Sequence, residues 1–136
     1  MKIDHVAIVV ADLQSALALY TETLGFREVY REIVEDQGVE AVGLAAGDSI
    51  IELLRPLDER SAVARFRSDA ASKLHHIAYR VDDIDAELAQ LKGKGVRLID
   101  ERPRQGAHGN KIAFIHPKSS GDILIELCEP LRKAVD

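Results

Sequence analysis

The chain has 136 residues, and its 46% hydrophobic content is enough to bury a core in one compact unit or in two fused half-size modules. Its formal net charge of −5 argues against a nucleic-acid or anionic-membrane partner, because either would require a basic surface. The single cysteine, Cys128, excludes an intramolecular disulfide, and no apolar run approaches the roughly 20 residues of a membrane-spanning helix. We therefore expect a cytoplasmic protein with no membrane partner.

The first half of the chain predicts the element order β-α-β-β-β. Its predicted strands are short apolar or alternating runs bounded by turn residues, at 3–10, 26–34, 39–45 and 49–55. Asp12 suits the N-cap of a helix whose apolar side chains recur every three or four residues and which Gly25 ends. Gly38 and Gly47 mark the turns between the later strands.

The second half predicts the same order again. Residues 58–72 form a polar linker in which a few apolar side chains suggest a short helix. The elements predicted after it are a strand at 75–81, a helix at 84–92, strands at 96–100, 111–116 and 122–128, a loop at 101–110 and a tail at 132–136. The sequence thus predicts an α+β protein, one domain made of two tandem βαβββ modules at about 1–57 and 73–131.

The two halves also repeat particular residues. His5 and His76 each open an apolar strand and are 71 residues apart, and Glu52 and Glu126 lie in matching last strands 74 residues apart. The segment Ile-Glu-Leu-Leu-Arg-Pro-Leu at 51–57 returns as Ile-Glu-Leu-Cys-Glu-Pro-Leu at 125–131. Two halves with the same order of landmarks indicate duplication of one supersecondary unit.

The repeated His and Glu residues predict a metal site. Taken singly, a strand His or Glu is more often a structural or exposed residue, but both recur at equivalent positions among apolar neighbours. If the modules pack about a pseudo-twofold axis, His5, Glu52, His76 and Glu126 can converge in one cleft. Two imidazoles and two carboxylates suit a divalent ion, and the donor set allows zinc, cobalt, nickel or manganese.

The other histidines are less suited to metal binding. Adjacent strand residues point to opposite faces, so only one of His75 and His76 can serve, and the register with His5 selects His76. His108 lies in a glycine-rich loop, and His116 precedes Pro117 at a strand end. We expect a structural or substrate-contact role for these two.

These motifs resemble the vicinal oxygen chelate superfamily, and within it the methylmalonyl-CoA epimerases, over almost the whole chain. The matching segments are His-Val-Ala-Ile at 5–8, Asp-Gln-Gly-Val at 36–39, the strand 51–57, Leu-His-His-Ile-Ala at 74–78, Gly-Ala-His-Gly at 106–109, Phe-Ile-His-Pro-Lys at 114–118 and Leu-Ile-Glu-Leu at 124–127. Glyoxalase I typically carries an Asp-Pro-Asp-Gly-Tyr turn before its final Glu strand, whereas this chain has His116-Pro117-Lys118. The segments at 106–109, 114–118 and 124–127 therefore favour the epimerases over glyoxalase I.

The resemblance implies a fold, a reaction and a cofactor. The fold is a curved mixed sheet around a metal cleft, with the ion held by His5, Glu52, His76 and Glu126. The reaction interconverts (R)- and (S)-methylmalonyl-CoA by removing the α-proton and stabilising the resulting enolate with the metal. Among the metals that the donors allow, cobalt is our first expectation, with zinc, manganese and nickel as alternatives.

Epimerisation requires two bases, one on each side of the substrate plane. The resemblance assigns one of them to Glu126, which is also a metal ligand. In some members the other base lies just after the Gln-Gly-Val segment, where an ungapped alignment places Ala41, with Glu40 beside it. We expect Glu40 as the second base and keep Glu35 as the alternative; for either, an exposed strand position is the competing interpretation.

The resemblance also implies an acyl-CoA substrate and a homodimer. Basic residues and backbone donors should bind the coenzyme A moiety, and Lys118, Ser119 and the loop 106–110 are the candidates. Two other functions remain open at this point. One is a glyoxalase I-type lactoylglutathione lyase that uses the same four ligands, and the other is a non-catalytic small-molecule-binding protein of the same fold, which retention of all four candidate ligands disfavours.

Overall fold

The computed structural model describes residues 1–131, so the predicted tail at 132–136 lies outside the described residues. Its helices and strands are β1 (Lys2–Val10), α1 (Leu13–Leu17), β2 (Arg27–Val34), β3 (Val39–Ala46), β4 (Ser49–Pro56), α2 (Ala62–Arg67), β5 (Ser72–Arg80), α3 (Ile84–Gly93), β6 (Arg104–Gln105), β7 (Lys111–Ile115) and β8 (Ile125–Glu129). Over residues 1–131, every helix is too short or too polar to span a bilayer. The predicted βαβββ order is present in both halves.

The chain forms two compact units. The first unit comprises His5–His75, and the second comprises Met1–Asp4 together with the chain from His76 onward. The strand pairing is mixed in each, since β1 runs parallel to β4 and β5 runs parallel to β8, while the remaining pairs described within each unit are antiparallel. The predicted α+β class with mixed pairing is confirmed.

The sheet of the first unit has the strand order β2-β3-β4-β1. One face of this sheet packs against α1 through a buried apolar cluster of Val10, Leu13, Val42, Leu44 and Leu53. Side chains on a strand alternate between faces. The opposite face therefore carries the intervening residues, which include the candidate ligands of this unit.

The first helix begins where the sequence predicts and changes geometry before it ends. The Asp12 side chain accepts a hydrogen bond from the Ser15 backbone N–H at 3.2 Å, which satisfies a donor in the first turn. After Leu17 the chain continues as a wider π-helical turn over Ala18–Thr23. Gly25 then adopts a φ of 83°, a left-handed conformation that ends the helix at little steric cost.

The sheet of the second unit has the strand order β5-β8-β7-β6. Helix α3 covers one face of it, and their contact buries Val81, Ile84, Leu88, Ala113 and Leu127. Asp83 begins α3 by accepting a hydrogen bond from the Ala86 N–H at 3.1 Å. The Cys128 side chain is buried, which agrees with its apolar surroundings in the sequence.

The predicted strand at 96–100 is wrong. Only Leu98 makes a β-bridge there, to Ile115, and the sheet strand β6 lies inside the segment predicted as a loop. The reason is a side chain: Asp100 Oδ2 accepts the Phe114 N–H at 2.8 Å. Because this donor is used by a carboxylate rather than by a backbone carbonyl, the ladder is interrupted at this point and resumes at Arg104.

Candidate active site

A buried His/Glu pair lies on the sheet of the first unit. Ala7 on β1 is opposite Glu52 on β4, and His5 lies two residues before Ala7, so both side chains share the face that points away from α1. His5 is 5% exposed and Glu52 is 4% exposed. His5 Nε2 lies 3.8 Å from Glu52 Oε1, so both can offer ligand atoms to one metal ion.

The second unit repeats this arrangement. Ala78 on β5 is opposite Glu126 on β8, and His76 lies two residues before Ala78. His76 and Glu126 are 2% and 1% exposed, and His76 Nε2 lies 3.5 Å from Glu126 Oε2. The imidazole packs edge-on against Phe114, with ring centroids 5.2 Å apart. Each unit thus places one imidazole and one carboxylate at equivalent positions of its parallel strand pair.

The separations within the pairs suit shared metal ligation. Both are longer than the 2.7–3.2 Å of a typical N–H···O hydrogen bond. Two ligand atoms held about 2.1 Å from a tetrahedral ion lie roughly 3.4 Å apart. The nitrogen and oxygen atoms of each pair are therefore spaced as neighbouring ligands of an ion are spaced.

The carboxylate of the first unit has a further partner that the sequence analysis missed. The Tyr30 hydroxyl donates a hydrogen bond to Glu52 Oε2 at 2.6 Å. Tyr30 on β2 is opposite Gly43 on β3, and Gly43 is opposite Glu52 on β4, so the three residues lie in one row across the sheet. The available sequence signal was the glycine in the middle of an apolar strand, which marks a close approach.

Glu40 lies on the other face of the sheet from Glu52. It is opposite Ile33 and Arg55, whereas Glu52 is opposite Gly43, and alternation sends the two side chains in opposite directions. The Glu40 carboxylate accepts a hydrogen bond from Arg55 Nε at 2.9 Å. This geometry argues against Glu40 as a base acting beside Glu52.

The alternative base, Glu35, lies in the turn between β2 and β3, outside the strands that carry His5 and Glu52. Glu35 is exposed in a 3₁₀ turn between β2 and β3. An open groove of about 770 Å³ includes Arg31, Arg55 and the start of α1 in its lining. In this lining, Arg31 and Arg55 donate hydrogen bonds to Glu28 and Glu40.

The remaining histidines occupy three different settings. His75 packs edge-on against Phe66 at 4.9 Å between ring centroids, and burial lowers the pKa of its imidazole. His108 is exposed and adopts a φ of 61° in the glycine-rich loop. His116 Nδ1 accepts the Lys118 backbone N–H at 3.1 Å, which caps the turn that follows β7.

The two predicted coenzyme A contacts are exposed in that same turn. Lys118 and Ser119 belong to the 3₁₀ turn Pro117–Ser119. The Ser119 hydroxyl accepts the Arg97 backbone N–H at 2.8 Å, which ties the turn to the segment after α3. Ser119 therefore has a structural contact of its own, whereas the Lys118 side chain extends from the surface.

Comparison with known proteins places this geometry in a family. A family model described as the glyoxalase/bleomycin resistance protein/dioxygenase superfamily matches residues 4–114. The chain belongs to this superfamily. It is 40% identical to an ethylmalonyl-CoA/methylmalonyl-CoA epimerase of Cereibacter sphaeroides, over 93% of this chain and 96% of that protein.

Solved structures of this superfamily match the whole fold. The methylmalonyl-CoA epimerase of Mycobacterium tuberculosis superposes with a TM-score of 0.91 at 42% identity, covering 96% of this chain and 89% of that one. A methylmalonyl-CoA epimerase in complex with methylmalonyl-CoA and NH4+ superposes with a TM-score of 0.89 at 36% identity, covering 95% and 94% of the two chains. The predicted resemblance and fold are confirmed.

Proposed function

We propose that the chain is a methylmalonyl-CoA epimerase that interconverts the (R) and (S) forms of its substrate. The supporting observation is a buried His/Glu pair at matching positions of both units, in a chain similar over 95% of its length to an epimerase that binds methylmalonyl-CoA. The reaction removes the proton from the carbon between the thioester and the carboxylate and returns it to the opposite face. The two alternatives, a lactoylglutathione lyase and a non-catalytic binding protein, become outcomes of the test.

We further propose that His5, Glu52, His76 and Glu126 together bind one divalent ion. The fit rests on the donor chemistry, since two imidazoles and two carboxylates without a thiolate suit cobalt, zinc, manganese or nickel, with cobalt as the first expectation. When bound, the ion supplies a Lewis acid that stabilises the negative charge developing on the substrate. In the predicted single domain, with modules at 1–57 and 73–131, His5 and Glu52 lie in the first module and His76 and Glu126 lie in the second.

The remaining assignments follow from chemistry and exposure. By resemblance to the family, Glu126 is the proposed base, and its buried carboxylate lies 3.5 Å from His76 Nε2. Lys118 and Ser119 are proposed to contact the coenzyme A moiety, and their exposure in one turn leaves them accessible to it. By resemblance to the family we propose a homodimer, and the net charge of −5 and the apolar runs of the sequence support a cytoplasmic protein without a nucleic-acid or membrane partner.

Isotope exchange tests the reaction directly. Methylmalonyl-CoA of one configuration, incubated with metal-loaded protein in deuterated water, should lose its optical purity as it gains deuterium at the α-carbon, because that proton exchanges through the enzyme base. Nuclear magnetic resonance and chiral analysis follow the two changes. Ethylmalonyl-CoA in a parallel reaction measures how far the substrate range extends, and a chelator-treated sample is the control.

Each alternative function predicts a different outcome. A lactoylglutathione lyase would leave methylmalonyl-CoA unchanged and convert the glutathione adduct of methylglyoxal to its thioester. A binding protein would do neither. No α-carbon exchange over many expected turnover times, with conversion of the glutathione adduct, would overturn the proposed reaction and leave the family assignment in place.

A further inference from the structure

The contact between Tyr30 and Glu52 depends on an irregularity in β2. Glu28 is opposite Leu44 and Tyr30 is opposite Gly43, so Val29 is an extra residue that bulges out of the ladder. With regular alternation, Tyr30 would point to the face covered by α1. The bulge instead turns the phenol to the face that carries Glu52.

Gly43 provides the space that the phenol ring occupies. A Cβ added to Gly43 would lie 2.2 Å from Tyr30 Cε2 and 2.3 Å from Tyr30 Cζ, well inside contact distance. Gly43 lies within the central strand β3 and its φ is outside the left-handed region, so the backbone conformation does not itself require glycine. Glycine inside a strand is destabilising relative to alanine. Its role here is to admit the ring.

The second unit has a different residue at the position of Gly43. Phe114 is opposite Glu126 as Gly43 is opposite Glu52, and the Phe114 ring packs against His76. In the first unit the aromatic ring comes from the next strand instead, and it carries a hydroxyl. The two units thus differ at the position of Gly43 and Phe114. In the first unit the difference allows the Tyr30 hydroxyl to donate a hydrogen bond to Glu52.

We propose that Tyr30 is a positioning residue that holds Glu52 as a one-oxygen metal ligand. At 2.6 Å the hydroxyl makes a short, charge-assisted hydrogen bond that occupies Glu52 Oε2. Glu52 Oε1, the oxygen that faces His5 Nε2, is the one left for the ion. A carboxylate that donates one oxygen leaves more coordination positions open for substrate oxygens than one that donates both. This role rests on the metal site proposed above.

Cobalt binding tests the role without an activity assay. Apo-protein is titrated with Co²⁺, and the visible absorption spectrum and dissociation constant are recorded for the wild type and Tyr30→Phe. The phenylalanine keeps the ring but removes the donor that fixes the orientation of the Glu52 carboxylate. We expect a Co²⁺ affinity about 10- to 100-fold lower and a changed spectrum, because visible cobalt bands depend on ligand number and geometry.

Tyr20→Phe is the matched control. It removes the same hydroxyl from a tyrosine of the first unit that packs against the buried cluster beneath α1 and lies 6.3 Å from the Phe26 ring centroid. Its Co²⁺ affinity and spectrum should equal those of the wild type. Gly43→Ala should reproduce the Tyr30→Phe spectrum, because the new Cβ displaces the ring.

The outcomes separate this role from the proposed metal site. Wild-type affinity and spectrum in Tyr30→Phe would overturn the positioning role and leave the metal site standing. A wild-type protein that binds no Co²⁺ would overturn the metal site and this role together. If Gly43→Ala does not fold by circular dichroism, Tyr30→Phe still decides, because it preserves the ring.

Discussion

Each unit buries one carboxylate, Glu52 in the first and Glu126 in the second, and burial of an ionised carboxylate is costly. Each is at most 4% exposed, and an ionised carboxylate in such surroundings is unfavourable unless donors or cations compensate it. Each carboxylate faces an imidazole, and Tyr30 donates a hydrogen bond to Glu52. Apolar residues of similar volume would often give an equally stable core, so these charged side chains are better explained by function than by stability.

Replacement of Glu126 by Gln separates ligation from proton transfer. The amide oxygen of Glu126→Gln can still bind a metal ion, but the side chain can no longer accept a proton. We expect turnover to fall by about 100- to 10,000-fold, the usual contribution of a general base, with a much smaller loss of bound metal. Epimerisation rates and elemental analysis of the same samples measure the two quantities.

Glu40→Gln is the control for that experiment. Glu40 binds Arg55 on the opposite face of its sheet, so its replacement should leave turnover near the wild-type value. If turnover and metal content fell in proportion in Glu126→Gln, Glu126 would be a ligand only. A large loss of turnover in Glu40→Gln would instead support the sequence prediction against the geometry.

Strand alternation explains what could be predicted for single residues. Alternation and register selected His76 over His75 from the sequence, and the structure places His76 beside Glu126 while His75 packs on Phe66. The same rule could not reveal Tyr30, because it assumes a regular strand and the bulge at Val29 reverses the faces. A bulge leaves no clear mark in a single sequence.

The segment after α3 shows how one side chain can decide the extent of a strand. Residues 96–100 have the composition of a strand, and Ile99 and Asp100 do donate to the Phe114 carbonyl. Asp100 also binds the Phe114 N–H and lies 3.3 Å from Arg104 Nε, whose guanidinium lies over the Phe114 ring. Asp100 thereby fixes the strand that carries the aromatic partner of His76.

We expect Asp100→Ala to destabilise the protein. The substitution removes the acceptor of a backbone N–H on a residue that is 6% exposed, which typically costs about 1–3 kcal/mol of unfolding free energy. Urea denaturation followed by circular dichroism measures the change. Because the denaturant slope reports exposed surface, only the midpoint should shift.

The neighbouring carboxylate provides the control for Asp100. Glu101 accepts a hydrogen bond from Lys92, and this contact lowers the pKa of the Glu101 carboxyl, but both side chains are largely exposed. Solvent screens such a pair, so Glu101→Ala should leave the urea midpoint unchanged. Equal midpoint shifts in the two variants would refute the role assigned to Asp100.

At the scale of the whole molecule, duplication is what made the fold predictable. The two halves repeat the same landmarks, so the sequence alone predicts the βαβββ order and the matching positions of His5 with His76 and of Glu52 with Glu126. The differences between the halves were not predictable in this way. Gly43 and Phe114 occupy equivalent positions and have different neighbours, which depend on strand register rather than on local composition.

The last prediction asks whether the two His/Glu pairs bind one ion or two. If all four side chains share one ion, the wild type should contain about one metal per chain, and His5→Ala and His76→Ala should each lose most of it, because each change removes one of the two imidazole ligands and so lowers the affinity for the ion. His75→Ala, at the adjacent position of the same strand, should retain it. Elemental analysis after dialysis gives the metal content of the wild type and of the three variants.

Thermal unfolding distinguishes a shared ion from two separate ones. An ion at 100 times its dissociation constant stabilises the folded state by about 2.7 kcal/mol, so a chelator should lower the melting temperature of the wild type and of His75→Ala. In His5→Ala and His76→Ala the chelator should have almost no effect, since either change removes the single ion. Two ions per chain in the wild type, with one lost in each variant and a remaining response to the chelator, would mean that each pair binds its own ion. Full metal content in His76→Ala would show that His76 is not a ligand.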